Sequence, residues 1–329
     1  MTTSHPRRQH LTAADLAPLA REAVGGHRAL LAATRLTGGT SKGVYRLAFD
    51  DGSTAIAYVW SPQEDYWAPP AADGAGTRSG ATGLARFRSA HARLTDLGVR
   101  VPRLLLADGD AAHLPVSAAV VEDVTGGTLE DALRENPARG RAALERLAGM
   151  LAVMRAAGEG HGPVPGGPGV RAVADRAVRD IDEVSARDPR VREARDRLTE
   201  RVRELRDAVR PRSAHSLIHG ELGPDHVLLT EDGEPVLIDV EGLEYADVER
   251  EHVFLDLRFG PWYDALRAPG LDEARLEFYR LAMHLSLVAG PLRLLDGDFP
   301  DPAPLREIAE SNLRRALESA GCAGTVPRP

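Results

Sequence analysis

The stretch best equipped for chemistry is 217–241, L-I-H-G-E-L-G-P-D-H-V-L-L-T-E-D-G-E-P-V-L-I-D-V-E. It sets His219 and His226 beside carboxylates at Glu221, Asp225, Asp239 and Glu241. A carboxylate can take a proton from a hydroxyl or hold a hard cation. A zinc reading of His219, Glu221, His226 and Asp239 lacks any established ligand spacing such as H-E-x-x-H. A second equipped stretch is Gly38-Gly39-Thr40-Ser41-Lys42-Gly43, between two apolar runs. A glycine-rich turn of this kind can lay backbone N–H groups over phosphates. Lys42 puts an ammonium at its tip, and it is the only lysine in a chain rich in arginine. A lone lysine is either chance or a chemical requirement, and its context decides.

The elements around these residues follow from pattern. An apolar strand, Ser216–Ile218, leads into a polar loop, His219–His226. Val227–Leu229 and Pro235–Val240 then form a hairpin about Glu231-Asp232-Gly233-Glu234, because Asp-Gly between apolar runs is a strong hairpin signal. This layout brings Glu221, His226 and Asp239 near one hairpin mouth. If the second strand continues through residue 241, Asp239 and Glu241, two apart, face the same way. Around the glycine-rich turn, 30–36, 44–49 and 54–60 read as three strands in series. Thr12-x-x-Asp15 caps a helix over 12–24.

The 217–241 layout resembles the catalytic core of the aminoglycoside phosphotransferase family. That family, like protein kinases, uses a loop H-x-D-x-x-x-x-N followed by a strand ending in a metal-binding Asp. His219, Gly220, Leu222, Pro224, the step from 221 to 226, and Asp239 fit. The resemblance implies an α/β (α+β) protein-kinase-like two-lobed fold. A small, mostly antiparallel sheet lobe would span 1–124, and a larger helical lobe 125–329. It implies transfer of the γ-phosphoryl of ATP or GTP to a hydroxyl of a small molecule, with Mg²⁺. Antibiotic modification is the family's typical use. Glu221 would be the catalytic base, and His219 would brace the catalytic loop. Asp239 would be the main metal ligand, with Glu241 a second. Gly39, Thr40, Ser41, Lys42 and His226 would meet phosphates. The connecting segment Glu122-Asp123-Val124-Thr125-Gly126-Gly127, with Glu122 and Val124, would recognise the base through its backbone. In Glu249–Arg258, which resembles the family's D-P-x-x-D-L-A helix, Asp256 matches the Asp that braces the catalytic loop.

Three departures fall on chemical positions. Glu221 stands for the loop Asp, and His226 for the metal-binding Asn, although imidazole suits Mg²⁺ poorly. The third strand, Thr54–Trp60, has Tyr58 or Val59 where the family has a phosphate-binding lysine, and the helix over 84–97 lacks its glutamate partner. Either Lys42 replaces that lysine from the loop, or an Arg from elsewhere substitutes, or phosphate binding is weak. The rival reading is a degenerate pseudokinase, acting as a nucleotide sensor or partner-binding module.

The rest of the chain reads as support. Residues 62–82 are a Pro-, Gly- and Ala-rich loop. Its Tyr66 and Trp67 either pin it to the body or form a substrate-facing flap. Strands are expected at 101–107 and 116–121. Helices are expected at 129–135, 138–157, 171–185, 189–209, 249–258, 272–294 and 303–319. The charged 189–209 segment reads as a solvated helix face. Asp256, Trp262, Tyr263 and Asp264 are candidates to line the acceptor site. With 329 residues and a net charge of −8, the chain is large enough for two lobes and does not read as a general nucleic-acid binder. Its one cysteine, Cys322, suits a cytoplasmic protein. No apolar run is long enough to span a membrane, and the first residues lack the apolar core of a secretory signal.

Overall fold

The computed structural model describes residues 8–37, 39–67, 77–110, 112–157, 169–212 and 214–322, with 77–82 described in backbone only. In chain order the elements begin α1 (Ala13–Val24), β1 (Leu30–Arg35), β2 (Gly43–Phe49), β3 (Thr54–Trp60), α2 (Thr77–Asp96), β4 (Leu104–Asp108) and β5 (Ser117–Glu122). Next come α3 (Leu129–Glu135), α4 (Pro137–Ala156), α5 (Val170–Ser185), α6 (Pro189–Ala208), β6 (Ser216–Ile218), β7 (Val227–Leu229) and β8 (Pro235–Leu237). The last are β9 (Glu244–Ala246), α7 (Val248–Phe259), α8 (Glu273–Leu295) and α9 (Pro302–Ser319). They fall into two units. The first holds the described residues up to Leu147 together with Pro224–Gly242, and the second holds the remainder.

The first unit is built on a five-stranded antiparallel sheet in the order β1-β2-β3-β5-β4. Helix α1 opens on the expected capping box: Thr12 N donates to Asp15, and Asp15 N donates to Thr12 Oγ1. Its Leu16, Leu19 and Ala20 join Tyr45, Leu47, Ala57 and Val120 in the core. Because side chains alternate along a strand, the odd residues 45, 47 and 49 of β2 all point inward. Helix α2 begins at Thr77, inside the segment expected to be a loop, while 68–76 of that segment lie outside the described residues. Leu84, Phe87, Ala90 and Leu94, at helical spacing, bury its inner face. Tyr58 and Trp60 of β3 pack against Phe87 with ring centroids 5.5 and 5.7 Å away.

The β7–β8 hairpin also belongs to the first unit. Strand β8 ends at Leu237, short of the expected Val240. Ile238 N still donates to the His226 carbonyl (3.0 Å) as the next rung of the ladder; Asp239 then has φ +60°, and Val240–Gly242 is a 3₁₀ turn. The alternation argument for Asp239 and Glu241 therefore does not apply. What orients the two carboxylates is a strained turn.

In the second unit α5, α6, α7, α8 and α9 share one core, from Ile181, Leu198 and Val202 to Phe278, Leu285 and Leu313. The charged 189–209 segment is α6, whose Val191, Leu198, Val202 and Leu205 are buried while its arginines pair with neighbouring acids on the outside. Strand β6 pairs with β9, a three-residue strand that the sequence pattern does not reveal. Among the described residues no helix is long and apolar enough to cross a membrane.

Candidate active site

Lys42 is 6% exposed, buried just outside the start of β2. The β2–β3 register pairs Val44 with Tyr58, so the residue before β2 comes alongside the strand that lacks the lysine. The ammonium of Lys42 lies 5.0 Å from the Tyr58 ring centroid, a cation–π distance. It donates to Asp239 Oδ1 at 2.6 Å and to Glu241 Oε1 at 2.5 Å. Burial alone would lower its pKa, but the carboxylates of Glu241 and Asp239 outweigh burial and hold it well above the ordinary lysine value. The lysine at the loop tip is a buried cation between two acids. Burial raises the Tyr58 hydroxyl pKa, which keeps this ring neutral beside the ammonium.

The turn that carries Lys42 is held from two sides. A Cβ on Gly39 would stand 2.5 Å from the Lys42 carbonyl oxygen, and one on Gly43 would stand 2.6 Å from the Glu64 carboxyl carbon. Only glycine tolerates such approaches. Glu64, 1% exposed, is the acceptor at the centre of a polar cluster. Arg35 donates to it at 2.8 and 3.0 Å, and the Tyr45 hydroxyl also bonds to it. Tyr66 N donates to the Thr40 carbonyl at 2.8 Å, and Trp67 Nε1 to Thr40 Oγ1 at 3.0 Å. The two aromatics thus pin their segment to the Thr40 turn, and no flap is needed to explain them. Ser41 is exposed.

Asp239 is the only non-glycine residue with positive φ among the described residues. Such a backbone is costly outside glycine, and it aims the carboxylate at Lys42. Glu241 keeps a second oxygen, Oε2, buried with no hydrogen-bond partner. Two carboxylates that meet on one ammonium can also share one divalent cation. Phosphate and water oxygens would complete an oxygen shell of the kind Mg²⁺ takes. His226 Nε2 stands 3.8 Å from Asp239 Oδ2, in reach of an anion rather than in a ligand set. Among the described residues no group of three or more His, Cys, Asp or Glu side chains is arranged to hold a metal.

In the second unit the polar loop after β6 is anchored by Glu251 on α7. Its Oε2 accepts from Gly220 N at 3.0 Å, and Gly220 has φ +95°. Burial raises the Glu251 pKa, against the lowering effect of His219 and of the Gly220 N–H. The brace expected at Asp256 is therefore Glu251. Asp256 instead faces Arg280 at 3.6 Å. The D-P-x-x-D spacing laid from Asp247 reaches Glu251, so the signal was in the sequence, hidden by Glu in place of Asp. His219 is 1% exposed, and Glu221 is exposed. Glu221 lines a cavity of about 480 Å³ formed with residues of α5, α7 and α8. The other acceptor candidates, Asp256, Trp262, Tyr263 and Asp264, do not line it. Tyr263 is buried against His252, its hydroxyl 3.2 Å from Nδ1.

The connecting segment lies in the first unit. The Glu122 carboxylate is committed to Arg100 at 2.7 and 2.8 Å and to Arg103 N at 2.9 Å. Burial raises its pKa, but the Arg100 contacts outweigh burial and lower it overall. Glu122 N donates to the Arg103 carbonyl at 2.9 Å, and Val124 is buried.

The sequence matches the phosphotransferase enzyme family over residues 32–285, most of the chain. The chain belongs to that family. Solved structures agree in fold. Choline kinase LicA from Streptococcus pneumoniae is similar over 92% of this chain and 98% of its own, with a TM-score of 0.62 at 13% identity. An APH(2") phosphotransferase complexed with GDP and kanamycin is similar over 89% and 94%, with a TM-score of 0.61 at 17% identity. Spectinomycin phosphotransferase, complexed with ADP and spectinomycin, is similar over 95% and 98%, with a TM-score of 0.61 at 14% identity. A search of curated proteins gives no match. This family member therefore has the kinase-like fold expected of it, with a small antiparallel sheet and a larger set of helices. Within that fold its one lysine stands at the start of β2 instead of within β3.

Proposed function

We propose that this phosphotransferase moves the γ-phosphoryl group of ATP or GTP to a hydroxyl of a small molecule. The observation that carries the reading is the Lys42 ammonium held between the carboxylates of Asp239 and Glu241. It supplies a buried cation beside the proposed metal ligands although β3 has none. Phosphoryl transfer depends mainly on positioning and charge neutralisation, so a cation arriving from a different strand can serve. Lys42 would pair with phosphate oxygens, and His226 would add a hydrogen bond to the same anion. Gly39, Thr40 and Ser41 would cover the phosphates from the turn. The base would be read by the 122–124 backbone, through groups other than Glu122 N, which is already given to Arg103. Asp239 and Glu241 would hold Mg²⁺, which supplies charge neutralisation on the phosphates when bound.

On the acceptor side Glu221 would take the hydroxyl proton. Its extra methylene shifts the carboxylate by roughly 1.5 Å relative to Asp, and a backbone set by Glu251 at Gly220 N would absorb that shift. Proteins of the same fold act on acceptors as different as choline and kanamycin, so fold alone does not choose the acceptor.

The test is calorimetric titration of ATP and GTP, with and without Mg²⁺, on wild type and Asp239→Ala. Magnesium-dependent binding that Asp239→Ala abolishes is expected. Nucleoside diphosphate release with an acceptor should then fall about 10²–10⁴-fold in Glu221→Gln, with nucleotide affinity unchanged. If neither nucleotide binds, the proposal fails. If nucleotide binds but no acceptor is turned over, the protein is a sensor rather than an enzyme.

A further inference from the structure

The cavity beside Glu221 has a charge pattern that selects its occupant. Its wall is apolar, formed by Val173, Val253, Phe254, Ala282 and Met283. Three guanidinium groups line it as well: Arg176 and Arg179 from α5, and Arg250 from α7. Its carboxylates are Glu221 and Asp180. Asp180 is 1% exposed; its Oδ1 is held by Arg293 at 2.5 Å and Arg176 at 3.3 Å, and its Oδ2 is buried without a hydrogen-bond partner, so its charge is already matched by two guanidinium groups and closed off from solvent. Arg250 is matched by Glu244. Arg179 is exposed and forms no ion pair among the described residues. A molecule carrying several ammonium groups would meet three arginines and one accessible carboxylate there. A molecule with an apolar body and one anionic group would find a wall for the first and Arg179 for the second. Guanidinium binds carboxylate and phosphate in a two-point fork, and like-charge contact rejects the alternative.

We infer that the acceptor is a small amphipathic molecule bearing a negative charge, with its hydroxyl turned to Glu221, rather than a polycation of the aminoglycoside kind. The inference rests on the phosphotransferase reading of Glu221. A cavity of about 480 Å³ suits such a molecule.

Two fluorescent probes with the same apolar body and opposite charge test it: dansylglycine, an anion, and dansylcadaverine, a cation. Each is titrated into the full chain at low salt. Dansylglycine is expected to bind at least about ten-fold more tightly. Arg179→Glu, at an exposed helical position that leaves the core intact, should remove or reverse that preference. Val173→Trp, on the cavity wall, should weaken both probes and so locate them. The inference is overturned if dansylcadaverine binds as well as dansylglycine, if neither binds, or if Arg179→Glu leaves their ratio unchanged. Nucleotide titration of the same preparations separates the two failures. Nucleotide binding with no charge preference removes the acceptor class and keeps the phosphotransferase reading. Absent nucleotide binding removes the phosphotransferase reading itself.

Discussion

Two regions bury ionisable groups and treat them oppositely. Around Lys42, opposite charges meet at 2.5 and 2.6 Å, and the attraction exceeds the cost of burial, so the ammonium stays charged. At Glu251-His252 on α7, burial dominates. Glu251 is raised, and His252 is pushed down to about 4, by burial first and then by Arg155. One region keeps its charge through ion pairing. The other favours neutral side chains and holds a loop through backbone hydrogen bonding. Low dielectric strengthens a pair and penalises a lone charge, so the same burial holds the charge in one place and favours the neutral forms in the other.

The sharpest way to break this contrast is Lys42→Ala. It leaves Asp239 and Glu241 without their cation, and nucleotide-dependent phosphoryl transfer should fall on the order of 10²–10³-fold. Lys42→Arg should recover little, because a planar fork does not replace a compact ammonium in a buried site. Activity near wild type in Lys42→Ala would show that the charged region is only structural.

The next effect concerns acid stability. The folded pKa of His252 is depressed, so its contribution is present above the unfolded value near 6.5 and is lost as the pH falls through about 4. Denaturant titrations should show wild type losing roughly 3 kcal/mol more than His252→Gln between those limits. Parallel losses in the two proteins would mean that His252 is not held neutral.

A smaller change is expected at Glu251. Glu251→Ala strips the acceptor from Gly220 N and should cost about 1–3 kcal/mol of stability. Turnover should fall about ten-fold at unchanged nucleotide affinity, since a loop shift of less than about 1 Å costs rate rather than binding. Glu251→Gln keeps an acceptor oxygen and should retain turnover. The folded pKa of Glu251 is raised, so its ionisation costs stability as the pH rises through that value, and Glu251→Gln should remove this cost. Equal loss in both variants would tie Glu251 to charge rather than to hydrogen bonding. The smallest effect is Trp67→Ala, which removes one bond to Thr40 from a half-exposed ring and should change stability by less than about 1 kcal/mol.

Much of the fold was legible because it rests on local pattern. The capping box at Thr12, the alternation in β2 and the helical stripe of α2 each follow from period and propensity. The hairpin at 227–237 followed from Asp-Gly. Errors arose where a single backbone torsion or a distant partner decides. The hairpin ends after Ile238 because the left-handed backbone at Asp239 turns the chain out of the ladder. The three-residue β9 exists only because β6 lies beside it. Asp256 and Glu251 are both acids on α7; the spacing from Asp247 points to Glu251, and the fold shows that it is Glu251 that meets Gly220.

The sequence by itself determined the residue inventory: one lysine in a glycine-rich turn, a β3 without charge, and carboxylates at 221, 239 and 241. It also determined most of the elements, since these follow from contacts between near neighbours in the chain. The tertiary structure decided where the charges go. Lys42 and Asp239 are separated by 197 positions and touch at 2.6 Å. No local rule fixes such a pair. It forms because the β2–β3 register brings the turn beside Tyr58, and because a left-handed residue at Asp239 aims its carboxylate back at the same point.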